Sequence, residues 1–555
     1  MKPTAMPDRL GRWWLLAALA LTTIVYWPGL YGGYLFDDYP NIVENHGVQP
    51  HDASVPTLVR AALSSPSSEF NRPLASLSFA ANYLATGLDP YWMKLTNLVI
   101  HLLNGLLVFL LARALLLSVG RALPASFYAG EKDAERRAVP ALPSVTMTPV
   151  SAPAVGVAAE SIAAEAAPTA ARSPRGTTDG SPCEATERRS VGASAHADIV
   201  AALIAAGWLL LPINLTGVLY VVQRMESMAN LFVLLGLIGY VAGRRRMLHL
   251  VFARDDDAST PVQHASSLRD FMLCVFSITV PTAVGILAKE TAVMLPLYAL
   301  LIEWALFHFA LRNGTKDRRI IALFLLVLLL PMVLGLAWLL PGILTPETWA
   351  TRDFTLGTRL LSEARIVTDY VRWTLLPTPD ALSFYHDDFR VSTGLLTPWT
   401  TLASLLFLAG LISLMLWLRS RLPLVTLGIA LFLGCQLLTG TIIPLELIYE
   451  HRNYFASFGL LLALLPLLAA PPRFSVGATS VANGPDSTDK SIAAEAAPTK
   501  VSFQPGALPL ALPRYALLAG LMLCWTVLTA LTAYAWGNPL RLAEDLANRS
   551  GLPQA

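Results

Sequence analysis

The chain carries a succession of apolar runs, each long enough to cross the ~30 Å hydrocarbon core of a bilayer. About eleven occur, at 13–31, 95–118, 197–213, 226–242, 271–288, 291–311, 319–340, 394–418, 422–442, 454–470 and 512–536. Because a backbone in lipid must satisfy its own hydrogen bonds, each run is expected to be a helix. The sequence therefore predicts an all-α polytopic membrane protein, a bundle of about eleven transmembrane helices with the lipid bilayer as a partner. No nucleic-acid partner is expected.

Positive charge gathers in the loops at one end of these runs. The basic residues concerned are Arg9, Arg12, Arg244, Arg245, Arg246, Lys316, Arg318, Arg319, Arg419 and Arg421. The positive-inside rule makes these loops and the amino terminus cytoplasmic. It places residues 37–38, 341–393 and 443–453 and the carboxyl terminus on the opposite, periplasmic side. The first apolar run is longer than the hydrophobic region of a typical secretory signal peptide. The small-residue sequence that resembles a signal-peptidase cleavage site lies too early within this run, so we interpret the run as an uncleaved membrane anchor.

Two segments, 119–196 and 471–510, lack apolar periodicity and are rich in Ala, Pro, Ser, Thr and Gly. The nonapeptide SIAAEAAPT occurs in both, at 161–169 and 491–499. Such duplicated low-complexity sequence indicates inserted elements, which we expect to be disordered, cytoplasmic and without a catalytic role. The remaining parts of the chain are 1–118, 197–470 and 511–555. The four cysteines show no ligand spacing, which supports neither a zinc site nor a disulfide framework.

Two adjacent carboxylates, Asp37 and Asp38, follow the first run in FDDYPNIVEN. Paired acids at a bilayer edge are costly, so a functional reason is expected. Partial burial and mutual repulsion would raise the pKa of one of them, which suits a general base. The alternative is a helix N-cap in front of Tyr39 and Pro40. The sequence leaves open which carboxylate is the base, with the preference on Asp38.

Arginines outside the cytoplasmic loops are candidates for binding the phosphate group of a lipid-linked donor substrate. Arg72 and Arg224 lie in NRPLASLSFAANY and YVVQRMESMAN. Arg365, Asp369 and Arg372 are spaced i, i+4, i+7 and so share one helical face. Two guanidiniums held by a carboxylate can clamp a phosphate; the alternative is a self-neutralising ion-pair face.

Two further charged clusters interrupt apolar sequence. Lys289-Glu290, in LAKETAVMLPL, is either a turn between helices or a means of presenting Lys289 to an anionic head group. Glu450-His451-Arg452, in PLELIYEHRNYF, places an acid, an imidazole and a guanidinium at a membrane exit, which favours substrate binding over a purely structural histidine.

Asn97, His101 and Asn104 form a polar stripe at i, i+4, i+7 within the second run. Polar stripes in membrane helices usually bond to neighbouring helices. We interpret this one in that way, with a role in the site as the alternative.

Five blocks in order resemble one family. They are FDDYPNIVEN, NRPLASLSFAANYLATGLDPYWMKLTNLVIHLLNGLLVFLL, YVVQRMESMANLFVLLGLIGY, LAKETAVMLPL and PLELIYEHRNYFAS. They resemble the membrane domain of the transmembrane-and-TPR protein O-mannosyltransferases and their bacterial relatives, within the GT-C glycosyltransferases. The resemblance implies a GT-C-like bundle that transfers mannose or another hexose, with inversion, from a polyprenyl-phosphate donor to a protein Ser/Thr or other hydroxyl acceptor.

In this family an acidic motif in the first extracytoplasmic loop carries the catalytic acid, and that motif maps onto Asp37 and Asp38. The resemblance further implies basic residues that meet the donor phosphate, and no metal or cofactor. The candidates here are Arg365, Arg372, His451 and Arg452. The chain departs from the family in showing no 34-residue period after the last run, so the acceptor-binding module is expected to be missing or supplied by another protein, and both acceptor and sugar stay open.

Three other functions are compatible with parts of this pattern. An O-antigen ligase or polymerase, or a sugar transferase acting on lipid A, would share the polyprenyl donor and the extracytoplasmic arginines. A transporter or flippase is disfavoured, because the charges gather at helix ends and no repeated halves are visible. An inactive paralogue disrupted by the insertions is the remaining alternative.

Overall fold

The structure, a computed structural model, describes residues 7–68, 70–119, 182–249, 261–311, 315–378, 386, 389–470 and 511–549. Among them no β-strand forms, and helices account for most residues. In chain order these are α1 (Pro7–Tyr26), α2 (Val55–Ala62), α3 (Pro73–Thr86), α4 (Pro90–Val119), α5 (Pro182–Leu209), α6 (Thr216–Leu219), α7 (Arg224–His249), α8 (Pro261–Ile286), α9 (Leu295–Ile302), α10 (Arg318–Phe324), α11 (Leu330–Ile343), α12 (Leu356–Leu375), α13 (Thr400–Leu418), α14 (Pro423–Thr439), α15 (Asn453–Leu468), α16 (Ala511–Trp536) and α17 (Pro539–Arg549). The predicted all-α class is confirmed.

Eight apolar helical stretches among the described residues are long enough to cross a membrane. They are Gly11–Tyr31, Pro90–Val119, Val221–Leu248, Leu268–Ile286, Glu290–Phe307, Arg318–Ile343, Thr400–Leu418 and Leu512–Trp536. A ninth candidate is the pair Ser194–Leu209 and Pro212–Leu219, bent by 58°. The predicted runs at 422–442 and 454–470 fall on α14 and α15, which have only 17 and 16 residues. The structure thus supports a multi-pass membrane protein, and the count of eleven stays a prediction.

The chain divides into two compact units, one made of residues 1–120 with 194–555 and the other of 121–193. Helix α5 begins at Pro182, inside the segment 119–196 that we expected to lack regular structure. Alanine, glutamate and arginine are frequent after Pro182 and favour a helix, and proline suits its first position. The rest of the predicted insertions, 120–181 and 471–510, lies outside the described residues.

The polar stripe of α4 joins this helix to its neighbours. Asn97 donates to the backbone carbonyls of Val218 and Val221, just before α7. The His101 Nδ1 lies 2.7 Å from the Tyr454 hydroxyl, on α15. Our interpretation of the stripe as an inter-helix contact is confirmed. These bonds join α4 to the segment before α7 and to α15.

The turns that contain most of the predicted site residues meet at one end of the bundle. The Leu74 amide, at the start of α3, donates to the Leu287 carbonyl after α8 at 2.9 Å. The helical turn Glu450–Arg452 packs against Pro212–Asn214 and α6. Segments far apart in the sequence therefore lie side by side at this end.

Candidate functional site

Asp38 is fully buried and joins two segments of the chain. Its Oδ2 accepts a hydrogen bond from the Leu35 amide (3.0 Å), and its Oδ1 accepts one from the Val222 amide (2.7 Å). Asp38 occupies the N-cap position of the helical turn Tyr39–Val43, as the alternative predicted, but its side chain makes no capping hydrogen bond to that turn. Burial raises the pKa of Asp38 to about 7, although the two amides and the charge of Lys94 oppose this effect.

Asp37 lies on the exposed side of the same turn. Its backbone amide donates to the Tyr220 hydroxyl at 2.9 Å. Tyr220 is itself buried, and this burial together with the negative charge of Asp37 raises the pKa of its phenol. Of the two acids, Asp37 is therefore the one whose carboxylate faces open space, with a tyrosine hydroxyl beside it.

Lys94 also belongs to this region, although it was not among the residues predicted from the sequence. Lys94 is only 1% exposed, and its positive charge acts on Asp38. A Cβ on Gly32 would come within 3.0 Å of the lysine Nζ, so the glycine leaves room for the ammonium group. A single lysine near the start of an apolar run normally reaches the membrane surface with its charged end, which is why sequence reasoning passed over it.

Lys289 lies next to the segment that binds Asp38. Its Nζ forms a 3.0 Å salt bridge with Glu226 and donates to the Gln223 side chain at 3.3 Å. Gln223 directly follows Val222, the partner of Asp38. Burial lowers the pKa of Lys289, and the charge of Glu226 opposes this shift. One short helical turn, Val221–Gln223, thus contacts both the acidic pair and a predicted phosphate-binding cation.

Arg72 is held by a two-pronged ion pair with Glu290. Its Nη2 lies 2.9 Å from one carboxylate oxygen, and its Nε lies 3.1 Å from both. Asn71 and Arg72 both have positive φ, +55° and +39°. This left-handed conformation is strained for residues other than glycine. The ion pair to Glu290 helps to hold the strained turn in place.

His451 lies close to three positive charges. Burial lowers the pKa of His451 well below its ordinary value, and the charges of Lys289, Arg452 and Arg72 lower it further. The imidazole is therefore neutral at pH 7. His451 also lines a small cavity together with Tyr220, whose hydroxyl accepts from the Asp37 amide. We call Arg72, Lys289 and Arg452 the cationic cluster; the neutral His451 lies close to all three.

Arg452 differs from the other two cations of the cluster. Its two terminal nitrogens donate to the backbone carbonyls of Leu447 (2.9 Å) and Glu446 (2.7 Å), and its guanidinium lies over the Tyr449 ring. Within the described part of the chain, no carboxylate lies within ion-pair distance of it. Its charge is oriented by the backbone without being neutralised by a direct partner. Glu450, its neighbour in the turn, is buried and lines the same small cavity as His451.

Arg224 has a different environment from the one expected for a phosphate ligand. It is 0% exposed, and its Nε donates to Asn97 at 2.6 Å. One terminal nitrogen donates to the Met93 carbonyl at 2.8 Å, and the guanidinium lies over the Phe79 ring. These contacts join the start of α7 to α4 and leave no exposed surface for a ligand.

Arg365 and Arg372 share one face of α12, as the spacing predicted, but they bind different groups. Arg365 donates to the Arg390 carbonyl at 2.6 Å and lies over the Phe389 ring. Arg372 pairs with Asp369 at 3.4 Å on the surface. The ion-pair alternative therefore describes Arg372, and both arginines bond to residues outside the cationic cluster.

In the described ranges, no group of three or more His, Cys, Asp or Glu side chains could hold a metal ion. That the protein needs no metal and no cofactor stays a prediction.

The chain matches no protein-family model, no curated protein and no solved structure. The chemistry of the site therefore has to follow from its own geometry.

Proposed function

We propose that the chain is a membrane glycosyltransferase. It moves mannose or another hexose from a polyprenyl-phosphate donor to a hydroxyl acceptor, on the periplasmic face of a bacterial inner membrane and with inversion. The observation that carries this proposal is the arrangement around residues 220–223. In this segment the Tyr220 hydroxyl accepts a hydrogen bond from the backbone amide of Asp37, whose side chain is exposed, and the Gln223 side chain accepts one from the Lys289 ammonium of the cationic cluster.

Asp37 acts as the general base. As the acceptor oxygen attacks C1 of the sugar, the Asp37 carboxylate takes the proton from the acceptor hydroxyl. The new C1–O bond forms while the bond between C1 and the phosphate oxygen breaks, and a single displacement inverts the configuration at C1. Asp37 replaces the sequence preference for Asp38, because both oxygens of Asp38 accept backbone hydrogen bonds and none of that residue is exposed.

The cationic cluster stabilises the departing polyprenyl phosphate. Negative charge grows on the phosphate as the bond to C1 breaks, and fixed cations stabilise such charge in the transition state. Arg452 is the strongest candidate for direct contact, because its charge has no ion-pair partner among the described residues. Lys289 and Arg72 are held by Glu226 and Glu290, which keep them in place beside it.

The positions of the helix ends support the proposed orientation. Helix α7 has Arg224 at its beginning and Arg244–Arg246 near its end, so these two groups lie at opposite ends of one span. The cationic cluster lies at the Arg224 end of α7, and the three consecutive arginines lie near its other end. A cytoplasmic arginine-rich loop follows from the positive-inside rule and leaves the site periplasmic.

The proposal is tested with purified full-length protein, a panel of polyprenyl-phosphate sugars and two hydroxyl acceptors, a Ser/Thr-containing peptide and a neutral hexose disaccharide. The expected result is consumption of one of these donors, with release of polyprenyl phosphate and a product of inverted configuration at C1. Arg452→Gln should raise the donor KM about ten-fold or more, because a charge-assisted contact to phosphate is lost. Arg372→Gln, which removes a surface arginine of α12, serves as the matched control. Failure to consume any donor in the panel, or retention of configuration, would contradict the proposal.

A further inference from the structure

A cavity of about 440 Å³ opens beside the loop that precedes α15. Charged groups alternate with aromatic rings along its wall. The side chains that matter for its chemistry are Arg352, Asp353, Phe354, Phe389, Glu446 and Tyr449. The donor chemistry proposed above uses none of these six side chains.

The cavity adjoins the proposed reaction centre. Ile448 and Tyr449 line it, and both also line the small cavity that contains Tyr220 and His451. The position of this shared wall is fixed, because the Tyr370 hydroxyl accepts from the Tyr449 amide (2.9 Å) and donates to its carbonyl (3.0 Å). A ligand in the larger cavity is thus separated from the Tyr220 side of the site by one layer of side chains.

The charges of the cavity disfavour a phosphate or a lipid chain. Arg352 and Glu446 form an ion pair of 2.7 Å at its wall, and Asp353 adds a second carboxylate. The lining acids outnumber this arginine, and their repulsion opposes an anionic occupant. An isoprenoid chain would desolvate the charged pair without giving it hydrogen bonds, which is costly.

The same groups match a sugar. The rings of Phe354, Phe389 and Tyr449 offer apolar surfaces for the face of a pyranose, while the carboxylates and the guanidinium can bond to its hydroxyls. A volume of about 440 Å³ lies within the usual range for small-ligand pockets. A peptide bound in extended form pairs its backbone with an open strand edge, and the described residues around this cavity contain no strand.

We infer that this cavity is the acceptor subsite and that it binds a neutral carbohydrate, a hexose or a short oligosaccharide. Its role as acceptor subsite rests on the proposed function. The inference that a sugar binds here rests only on the lining and the volume of the cavity. The acceptor hydroxyl would attack from the side of the reacting carbon opposite the departing phosphate, with its proton taken by Asp37.

The test measures binding of probes to the full-length protein in detergent, by saturation-transfer NMR. The probes are neutral hexose disaccharides and a Ser/Thr-containing hexapeptide. We expect a disaccharide to bind, and Glu446→Gln or Asp353→Asn to weaken its affinity about ten-fold or more through loss of charge-assisted hydrogen bonds. Glu347→Gln removes an exposed carboxylate outside the cavity and should leave affinity unchanged. Thermal unfolding of each variant checks that it is folded.

Binding of the peptide alone, or disaccharide binding that ignores both cavity variants, would overturn the inference. The donor assay is a separate readout. Glu446-dependent sugar binding without consumption of any polyprenyl-phosphate sugar would leave the sugar site intact and contradict the transferase. Donor consumption without binding of any neutral sugar would leave the transferase intact and contradict the sugar site.

Discussion

Asp37 and Asp38 are neighbours in the sequence but lie in opposite environments. The Asp38 carboxylate is enclosed and bonded to two amides, whereas Asp37 is exposed beside a tyrosine hydroxyl. The sequence could identify the pair, because two acids at a bilayer edge are a strong signal. It could not divide the roles, because the division depends on Val222 and Tyr220, more than 180 residues away.

The raised pKa of Asp38 makes the stability of the protein depend on pH. A carboxyl whose pKa is about 7 when folded and ~3.9 when unfolded holds its proton more tightly in the folded state. Its stabilising contribution is therefore complete below pH ~4 and is lost as the pH rises through 7. Asp38→Asn removes this dependence.

We expect the stability advantage of the wild type over Asp38→Asn to narrow by a few kcal/mol between about pH 4 and pH 8. Thermal unfolding of both proteins across this range measures the difference, and groups that both proteins share cancel. If the difference in stability between the wild type and Asp38→Asn stays constant or widens as the pH rises, the raised pKa of Asp38 is contradicted.

At the scale of elements, the short turn Val221–Gln223 connects the acids to the cations. Sequence reasoning found Arg72, Lys289 and His451 because charges that interrupt apolar runs stand out. It did not foresee that Arg224 would be enclosed, since a buried and an exposed arginine look alike in sequence. The polar contacts around Arg224 come from Asn97 and the Met93 carbonyl on another helix.

The Lys289–Glu226 pair gives a prediction at this scale. Both side chains are mostly buried, at 13% and 9% exposure. Lys289→Met leaves the Glu226 carboxylate without its cation, which typically costs ~3–5 kcal/mol for a buried pair. The double variant Lys289→Met/Glu226→Gln should regain much of this stability, because no unpaired charge is left.

In these variants, donor kinetics and folding stability should respond differently. Because the double variant still lacks the cation, we expect its donor KM to remain raised although its unfolding temperature recovers. Thermal unfolding and donor kinetics on the same preparations measure both quantities. Recovery of both would show that Lys289 has a purely structural role, and recovery of neither would contradict the ion-pair account.

For the whole molecule, hydropathy identified the helices better than it identified their lengths. The predicted runs at 422–442 and 454–470 overlap helices that end at Thr439 and Leu468. Apolar residues continue beyond both helix ends, so composition alone does not mark where a helix stops. Lys94 and Tyr220 were missed for a related reason, since their importance arises from packing between segments.

The proposed orientation predicts which surfaces are accessible from outside the cell. In a variant whose four native cysteines are replaced, Ser54→Cys lies in an exposed loop on the site side of the bundle, and Ser420→Cys lies between Arg419 and Arg421. A maleimide that passes the outer but not the inner membrane should label residue 54 in intact cells. It should label residue 420 only after the cells are broken. The reverse pattern would contradict the periplasmic site.

The central claim is that Asp37 is the base for sugar transfer, and one comparison of variants tests it most directly. The measurement is the turnover of Asp37→Asn on the preferred polyprenyl-phosphate sugar. Asp52→Asn serves as control, because Asp52 is an exposed carboxylate in the same loop, bonded to Ser54. We predict a ~10²–10⁴-fold fall in kcat for Asp37→Asn, with normal membrane insertion and donor binding, and wild-type turnover for Asp52→Asn. Wild-type turnover of Asp37→Asn would contradict the account.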